Sequence, residues 1–273
     1  MKQLRLNLHI EFLVVAGLVA VFGTAGYQRN FIWKDNLTLW TDCLNKSSYK
    51  YRTHNNRGFA LFNNKDFDKA LIEFRQALRL NPRAEKAYLN IGRIYEEKGR
   101  IRDAIEQYGN ALKIAPQSVE VSHFMGNVYA KNRRFDTAIY YYKKALALRP
   151  DSPLLLVSLG SALHKKKLTA AALDKFKQAL KIAPDMAQAY YNLGVINDEK
   201  ELSEKAIHYY RKALNIKSDY HEALSNLGII YGRMGLLEQA IEYFEQSLWI
   251  KPDDPITLKN LSYANEQLGT GTK

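Results

Sequence analysis

The sequence predicts an all-α solenoid, a row of helix pairs stacked on one another and led by a half-repeat. Two observations carry this. Pro82, Pro116, Pro150 and Pro184 stand 34 residues apart, Ser218 takes the next place and Pro252 the one after. Several other columns keep the same period, which is the mark of supersecondary units that stack because none can bury its apolar face alone.

With Tyr51 as position 1, position 8 reads Gly58, Gly92, Gly126, Gly160, Gly194 and Gly228. Position 20 is Ala70, Ala104, Ala138, Ala172, Ala206 and Ala240, and position 24 is Phe74, Tyr108, Tyr142, Phe176, Tyr210 and Phe244. Position 27 is small (Ala77, Ala111, Ala145, Ala179, Ala213, Ser247) and position 28 is leucine throughout. Small residues at 8 and 20 let the two helices of a pair cross closely. Positions 24, 27 and 28 share one helical face, which buries against the partner helix and the next repeat. The proline at 32 ends the second helix, because its ring removes a hydrogen bond and clashes one turn back.

These columns divide 51–254 into six repeats: 51–84, 85–118, 119–152, 153–186, 187–220 and 221–254. On them the chain is identified as a member of the tetratricopeptide-repeat (TPR) family, and the resemblance implies a right-handed solenoid that binds other proteins. Residues 255–273 are expected to form a capping helix and tail, with Leu258 and Leu261 facing inward and Asn260, Glu266 and Gln267 toward water. The period also reaches backwards. Leu37, Trp40, Cys43 and Leu44 precede Leu71, Phe74, Ala77 and Leu78 by one period, so 31–50 reads as the second helix of a truncated repeat, capped by Asp35 or Asn36. Cys43 fills a small-residue position there and is expected to be buried and structural.

Residues 12–25 (FLVVAGLVAVFGTA) are almost wholly apolar, with Lys2 and Arg5 before them and Arg29 after. Extended over 8–27 the run reaches the roughly 20 residues a spanning helix needs. Tyr27, Phe31 and Trp33 follow as an aromatic belt, and the join to the half-repeat is short. Residues 1–30 are therefore read as a single-pass membrane anchor, with the repeats outside the cytoplasm (periplasmic or lumenal). The alternative is a cleaved signal peptide ending at Gly23-Thr24-Ala25, which leaves a secreted or periplasmic adaptor. Tyr27-Gln28-Arg29-Asn30, Trp33-Lys34-Asp35 and Leu39-Trp40 resemble the junction between the last membrane helix and the first repeat in multi-spanning proteins related to protein O-mannosyltransferases. That likeness implies an extracytoplasmic array. The acidic catalytic residues of that family are absent here, so no transferase activity is carried over.

Catalysis is not expected. Phosphate loops, nucleophile elbows and zinc-binding helix motifs are missing, and the six histidines fall at unrelated positions. With one cysteine there is neither an internal disulfide nor a thiolate zinc site. No cofactor, metal or small-molecule substrate is implied. Acidic pairs such as Glu96-Glu97 and Asp198-Glu199 read as solvated charges late in a helix.

Two surfaces remain. Position 6 carries Asn56, Asn90, Asn192, Asn226 and Asn260, interrupted by Phe124 and Ser158. In similar arrays, such as that of O-GlcNAc transferase, asparagines here line the concave face and hold the backbone of an extended peptide, since a carboxamide offers both donor and acceptor. Asn55, Phe59, Arg93, Asn127 and Tyr191 are its expected neighbours. Arrays that clamp the acidic tails of heat-shock chaperones carry lysine where Asn55 and Glu120 stand, so that clamp is absent. The second surface is a basic rim. The chain has net charge +12, concentrated before residue 187. Lys131, Arg133 and Arg134 precede Lys165, Lys166 and Lys167 by one period, which suits an acidic protein, lipid or glycan partner. Nucleic acid is not expected, because no stacking platform is interleaved with these charges. The sequence thus reads as a non-catalytic, membrane-anchored scaffold for proteins or extended peptides. The alternative is an accessory, substrate-presenting part of a membrane glycosyltransferase-like assembly.

Overall fold

The computed structural model describes residues 34–270. The membrane anchor or signal segment expected at 1–30 lies outside them. Fourteen helices are present among the described residues, each joined to the next by a short turn. None of them is long and apolar enough to cross a membrane. The chain separates into two units, Met1–Pro116 and Gln117–Lys273.

In the first unit, α1 (Asn36–Lys46) is the predicted half-repeat. Asp35 caps it: its carboxylate accepts from the Thr38 amide at 2.8 Å, and the Thr38 hydroxyl accepts in return from the Asp35 amide. Helix α2 (Tyr51–Asn63) then pairs with α3 (Phe67–Leu80), and α4 (Glu85–Glu97) with α5 (Ile101–Ile114). Cys43 is only half-buried: among the described helices α1 packs chiefly on α2, and none of its residues is fully buried. What ties α1 down is polar. Glu73 of α3, 8% exposed, accepts from Arg57 and faces His54 Nδ1 at 2.7 Å. Arg57 also donates to the Thr41 hydroxyl of α1, and His54 Nε2 meets the Ser48 carbonyl at 2.8 Å.

The second unit repeats the scheme in four pairs. These are α6 (Val119–Lys131) with α7 (Phe135–Leu148), and α8 (Pro153–Lys165) with α9 (Thr169–Ile182). Then come α10 (Ala187–Asp198) with α11 (Ser203–Ile216), and α12 (His221–Arg233) with α13 (Leu237–Ile250). Helix α14 (Pro255–Thr270) follows as the predicted cap. One core cluster runs through α7–α10 and another through α11–α14.

The repeat columns are the core. All six alanines at position 20 are fully buried, as are the five alanines and Ser247 at position 27. The aromatic at position 24 lies on the glycine of its own repeat. A β-carbon on Gly58, Gly92, Gly126, Gly160, Gly194 or Gly228 would come within 2.4–2.8 Å of the ring opposite, closer than any real contact.

Between the two helices of each pair the chain makes the same turn. Lys65, Gly99, Arg133, Lys167, Glu201 and Gly235 all have φ between 56° and 74°. The residue after each donates its amide back across the turn, as Asp66 does to Leu61 at 2.9 Å and Arg100 to Tyr95 at 2.8 Å. This is the Schellman ending, which satisfies the last carbonyls of the first helix.

The cap departs from expectation at Leu258, which is 46% exposed. Helix α14 turns Thr257 and Ala264 into the core instead, with Leu261 half-buried beside them. Position 4 is buried in α12, where Leu224 is 5% exposed beside the second helix of its repeat, and among the described helices none follows α14 to cover Leu258 in the same way.

Candidate peptide-binding face

In the first unit, Arg52, Asn55, Phe59 and Phe62 follow one another along one face of α2 at helical spacing. Helix α4 brings Asn90 and Arg93 to the same face. Asn90 Nδ2 donates to Asn55 Oδ1 at 3.5 Å, and Asn55 Nδ2 donates to Asn56 Oδ1 at 3.4 Å. Asn55 and Asn90 are buried, so their amides serve this chain of bonds, while Asn56 is half-exposed at its outer end. Phe59 and Phe62 stack with centroids 6.4 Å apart, and the Arg93 guanidinium lies 4.5 Å from the Phe62 ring and 5.8 Å from Phe59. Phe59 is 40% exposed, an aromatic face open to a ligand.

Next to the asparagines is a cavity of about 490 Å³ between the first turn of α2 and the α3–α4 turn. Tyr51, Arg52, Arg83, Glu85 and Lys86 line it with Asn55 and Asn56. Arg52 Nε donates to the Tyr51 hydroxyl at 3.2 Å. That bond, and to a smaller extent the nearby Asn81 and the charge of Lys86, draws the Tyr51 phenol below its ordinary range. Neither Arg83 nor Lys86 has a carboxylate partner among the described residues. The sequence pattern alone did not single these residues out. The available signal was that Arg52 and Lys86 share position 2, one period apart.

In the second unit the asparagines serve different bonds. Asn226 Nδ2 donates to the Tyr210 hydroxyl at 3.1 Å and stands 3.5 Å from that of Tyr191. Tyr191 in turn stacks on Tyr220 at 4.8 Å. Burial and neighbouring carboxylates push Tyr191, Tyr210 and Tyr220 above the usual phenol range, so they stay neutral. Asn192 donates to the Gln188 carbonyl and accepts from Ser161, and Asn127 accepts from Tyr142 at 2.8 Å. Asn260 lines a smaller cavity of about 320 Å³ with Tyr263, Phe244 and Arg233.

The six rim residues Lys131, Arg133, Arg134, Lys165, Lys166 and Lys167 are all exposed. Lys166 is paired with Asp136, and Arg134 lies 5.3 Å from the Tyr129 ring. Arg133 and Lys167 are at the left-handed turn positions. The late-helix acids do more than face solvent: Glu96 accepts from the Tyr108 hydroxyl at 3.0 Å, Asp198 is paired with Arg233, and Glu199 meets His164 at 3.2 Å. Among the described residues no group of histidine, cysteine and carboxylate side chains is placed to hold a metal ion.

Known proteins fit this arrangement. The tetratricopeptide repeat matches residues 56–119 and 125–187, and a second form of it matches 185–253. The chain is 29% identical over 99 residues to Protein O-mannosyl-transferase TMTC3 of Homo sapiens, which is 36% of this chain and 11% of that protein. The Mus musculus protein of the same name is 37% identical over 81 residues, 30% of this chain and 9% of the relative. The chain thus spans about a tenth of the curated relatives it matches. Among solved structures, the APC/C hetero-tetramer Cut9-Hcn1 shares the fold, with a TM-score of 0.75 over 86% of this chain and 47% of that one at 20% identity. YrrB, described as a TPR protein with an unusual peptide-binding site, has a TM-score of 0.53 over 68% of this chain and 95% of that one at 25% identity. With its repeats matched between residues 56 and 253 and the columns at positions 8, 20, 24 and 27 buried, the chain belongs to the tetratricopeptide-repeat family of interaction scaffolds.

Proposed function

We propose that the chain is a non-catalytic, membrane-anchored scaffold that holds extended segments of partner proteins on the first helices of its repeats. The observation that carries this is the face of α2 and α4, where the half-exposed Asn56 amide and the open Phe59 ring, stacked on Phe62, lie one turn apart. Carboxamides suit a peptide backbone, which offers both donors and acceptors, and Phe59 suits an apolar side chain. The similarity to YrrB, whose description names a peptide-binding site, supports the same reading. Cross-linking of the full chain to its captured partners, followed by mass spectrometry, tests it. Cross-links should fall on α2 and α4 and be lost in an Asn56→Ala, Phe59→Ala, Arg93→Ala variant. Unchanged binding by that variant would rule the face out.

Anchoring rests on the apolar run at 12–25 and its aromatic flank. Determining the N-terminus of the mature protein decides between anchor and secreted adaptor, and a start near Gly26 would remove the anchor. A second reading, an accessory part of a membrane glycosyltransferase-like assembly, is favoured by the similarity to the mannosyltransferases. It requires that a multi-spanning transferase co-purify with the chain, and purification without one would count against it.

A further inference from the structure

From the cavity at the start of α2 we infer a binding subsite for the carboxylate of an acidic residue, seated about three residues along an extended peptide from the apolar residue that meets Phe59 and Phe62. The inference rests on the peptide-binding reading above and adds the chemistry of the peptide. Three cations, Arg52, Arg83 and Lys86, border the cavity against the single carboxylate of Glu85. Arg52 is held in place by its bond to the Tyr51 hydroxyl, with its guanidinium 5.8 Å from the ring. A cation fixed in this way loses less freedom when it binds.

The hydrogen-bond polarity agrees. From Asn90 through Asn55 to Asn56, each Nδ2 donates to the next Oδ1, so the chain of bonds ends with the Asn56 amide nitrogen as a donor beside the cavity. Helix α4 also begins here without a side-chain cap at Ala84, which adds the positive end of its dipole. Donors and cations converge, and the ligand group they suit is an acceptor carrying negative charge.

The aromatic pair indicates a peptide rather than a free anion. From the centre of the cavity-lining residues 52–56 to the centre of 59–62 is about six residues of helix, or ~9 Å at 1.5 Å per residue. An extended peptide covers that distance in about three residues. The site is also distinct from the chaperone-tail clamp, whose lysine positions hold Asn55 and Glu120 in this chain.

A random octapeptide library displayed on phage and panned against the full chain tests this. Selected sequences should carry Asp or Glu about three positions from an aromatic or aliphatic residue. A selected peptide should bind about ten-fold more weakly once its acid is changed to the amide, the loss expected for one charge-assisted hydrogen-bonded contact. An Arg83→Ala, Lys86→Ala variant should select peptides that keep the apolar residue and lose the acid. Both side chains lie outside the core, and an unchanged circular dichroism spectrum would verify the fold. A Lys165→Ala, Lys167→Ala variant should keep the acidic preference, which separates the subsite from general attraction to a basic protein. Peptides selected without acidic enrichment, or with enrichment that survives in the Arg83, Lys86 variant, would overturn the subsite and leave the peptide-binding face standing. A library that yields no enriched sequence would overturn both.

Discussion

The ring of Tyr108 lies against the backbone of Gly92, so that a β-carbon at 92 would stand 2.4 Å from ring atom Cε1. The ring cannot retreat, because it is fully buried and its hydroxyl is bonded to Glu96. Gly92→Ala should therefore destabilise the protein by about 1–3 kcal/mol, the usual range for overpacking a core. Gly109 is the control: it is helical, with nothing within 4 Å of where its β-carbon would sit. Gly109→Ala should stabilise by roughly 0.5–1 kcal/mol through helix propensity. Urea denaturation of the two variants should shift the midpoint in opposite directions.

The left-handed turns give the opposite kind of prediction. Lys65, Arg133, Lys167 and Glu201 adopt φ of 56–63°, where the corresponding residues of other repeats are Gly99 and Gly235. An L side chain in this region is strained by roughly 1–2 kcal/mol. Lys167→Gly should raise stability by about 1 kcal/mol, less the extra freedom glycine has in the unfolded chain. Gly99→Ala should lower it by about as much. Thermal melts of both variants provide the check.

Docking of the half-repeat depends on Glu73. Replacing it by alanine leaves Arg57 and His54 half-buried or buried without their carboxylate. Loss of one partner from a buried pair typically costs 3–5 kcal/mol. Arg57 keeps about a quarter of its side chain exposed, which points to the lower end, about 3 kcal/mol. Hydrogen exchange should accelerate in α1 before it does in α4 or α5, because Thr41 and Ser48 are held through this network. Uniform acceleration across the first unit would disprove the local role.

Acid should loosen α14. The Asp254 carboxylate accepts from the Thr257 hydroxyl at 2.8 Å and from its amide at 3.0 Å, and these bonds lower its pKa to about 2 from the ordinary 3.8. A depressed acid stabilises the folded state above its unfolded pKa, and that contribution is lost as pH falls through the folded value. Fraying of α14 should therefore begin below about pH 4 and be complete only below about pH 2, followed through the Thr257 amide by NMR. Asp254→Asn should remove this pH dependence while retaining part of the cap.

Much of the fold was legible because 34-residue spacing and side-chain size are properties of the chain itself. The half-repeat followed from Trp40 and Leu44 lying one period before Phe74 and Leu78, and the Asp35 cap from its place before α1. The turn between paired helices was not legible, because only two of its six left-handed positions are glycine. Leu258 is exposed although the same position is buried in α12, because among the described residues no second helix follows α14 to cover it.

The candidate site divides in the same way. The asparagine column could be read as a column, but each amide has its own fate. Asn90 is buried against Asn55, Asn192 bonds back to its own helix, and Asn226 serves two tyrosines. Arg83 and Lys86 attracted no notice among the many basic residues, since nothing local marks a cation that borders a cavity.

What the sequence determined by itself was the repeat: where each helix pair starts and ends, which residues fill the core, and why glycine and alanine stand where they do. Those depend on local spacing and on size, which recur every 34 residues. Tertiary structure alone decided which polar groups remain available to a partner. A hydrogen bond needs two groups to meet at a particular distance and angle, and meetings such as Asn90 with Asn55 and Asn226 with Tyr191 join neighbouring repeats through side-chain directions that no one-dimensional pattern contains.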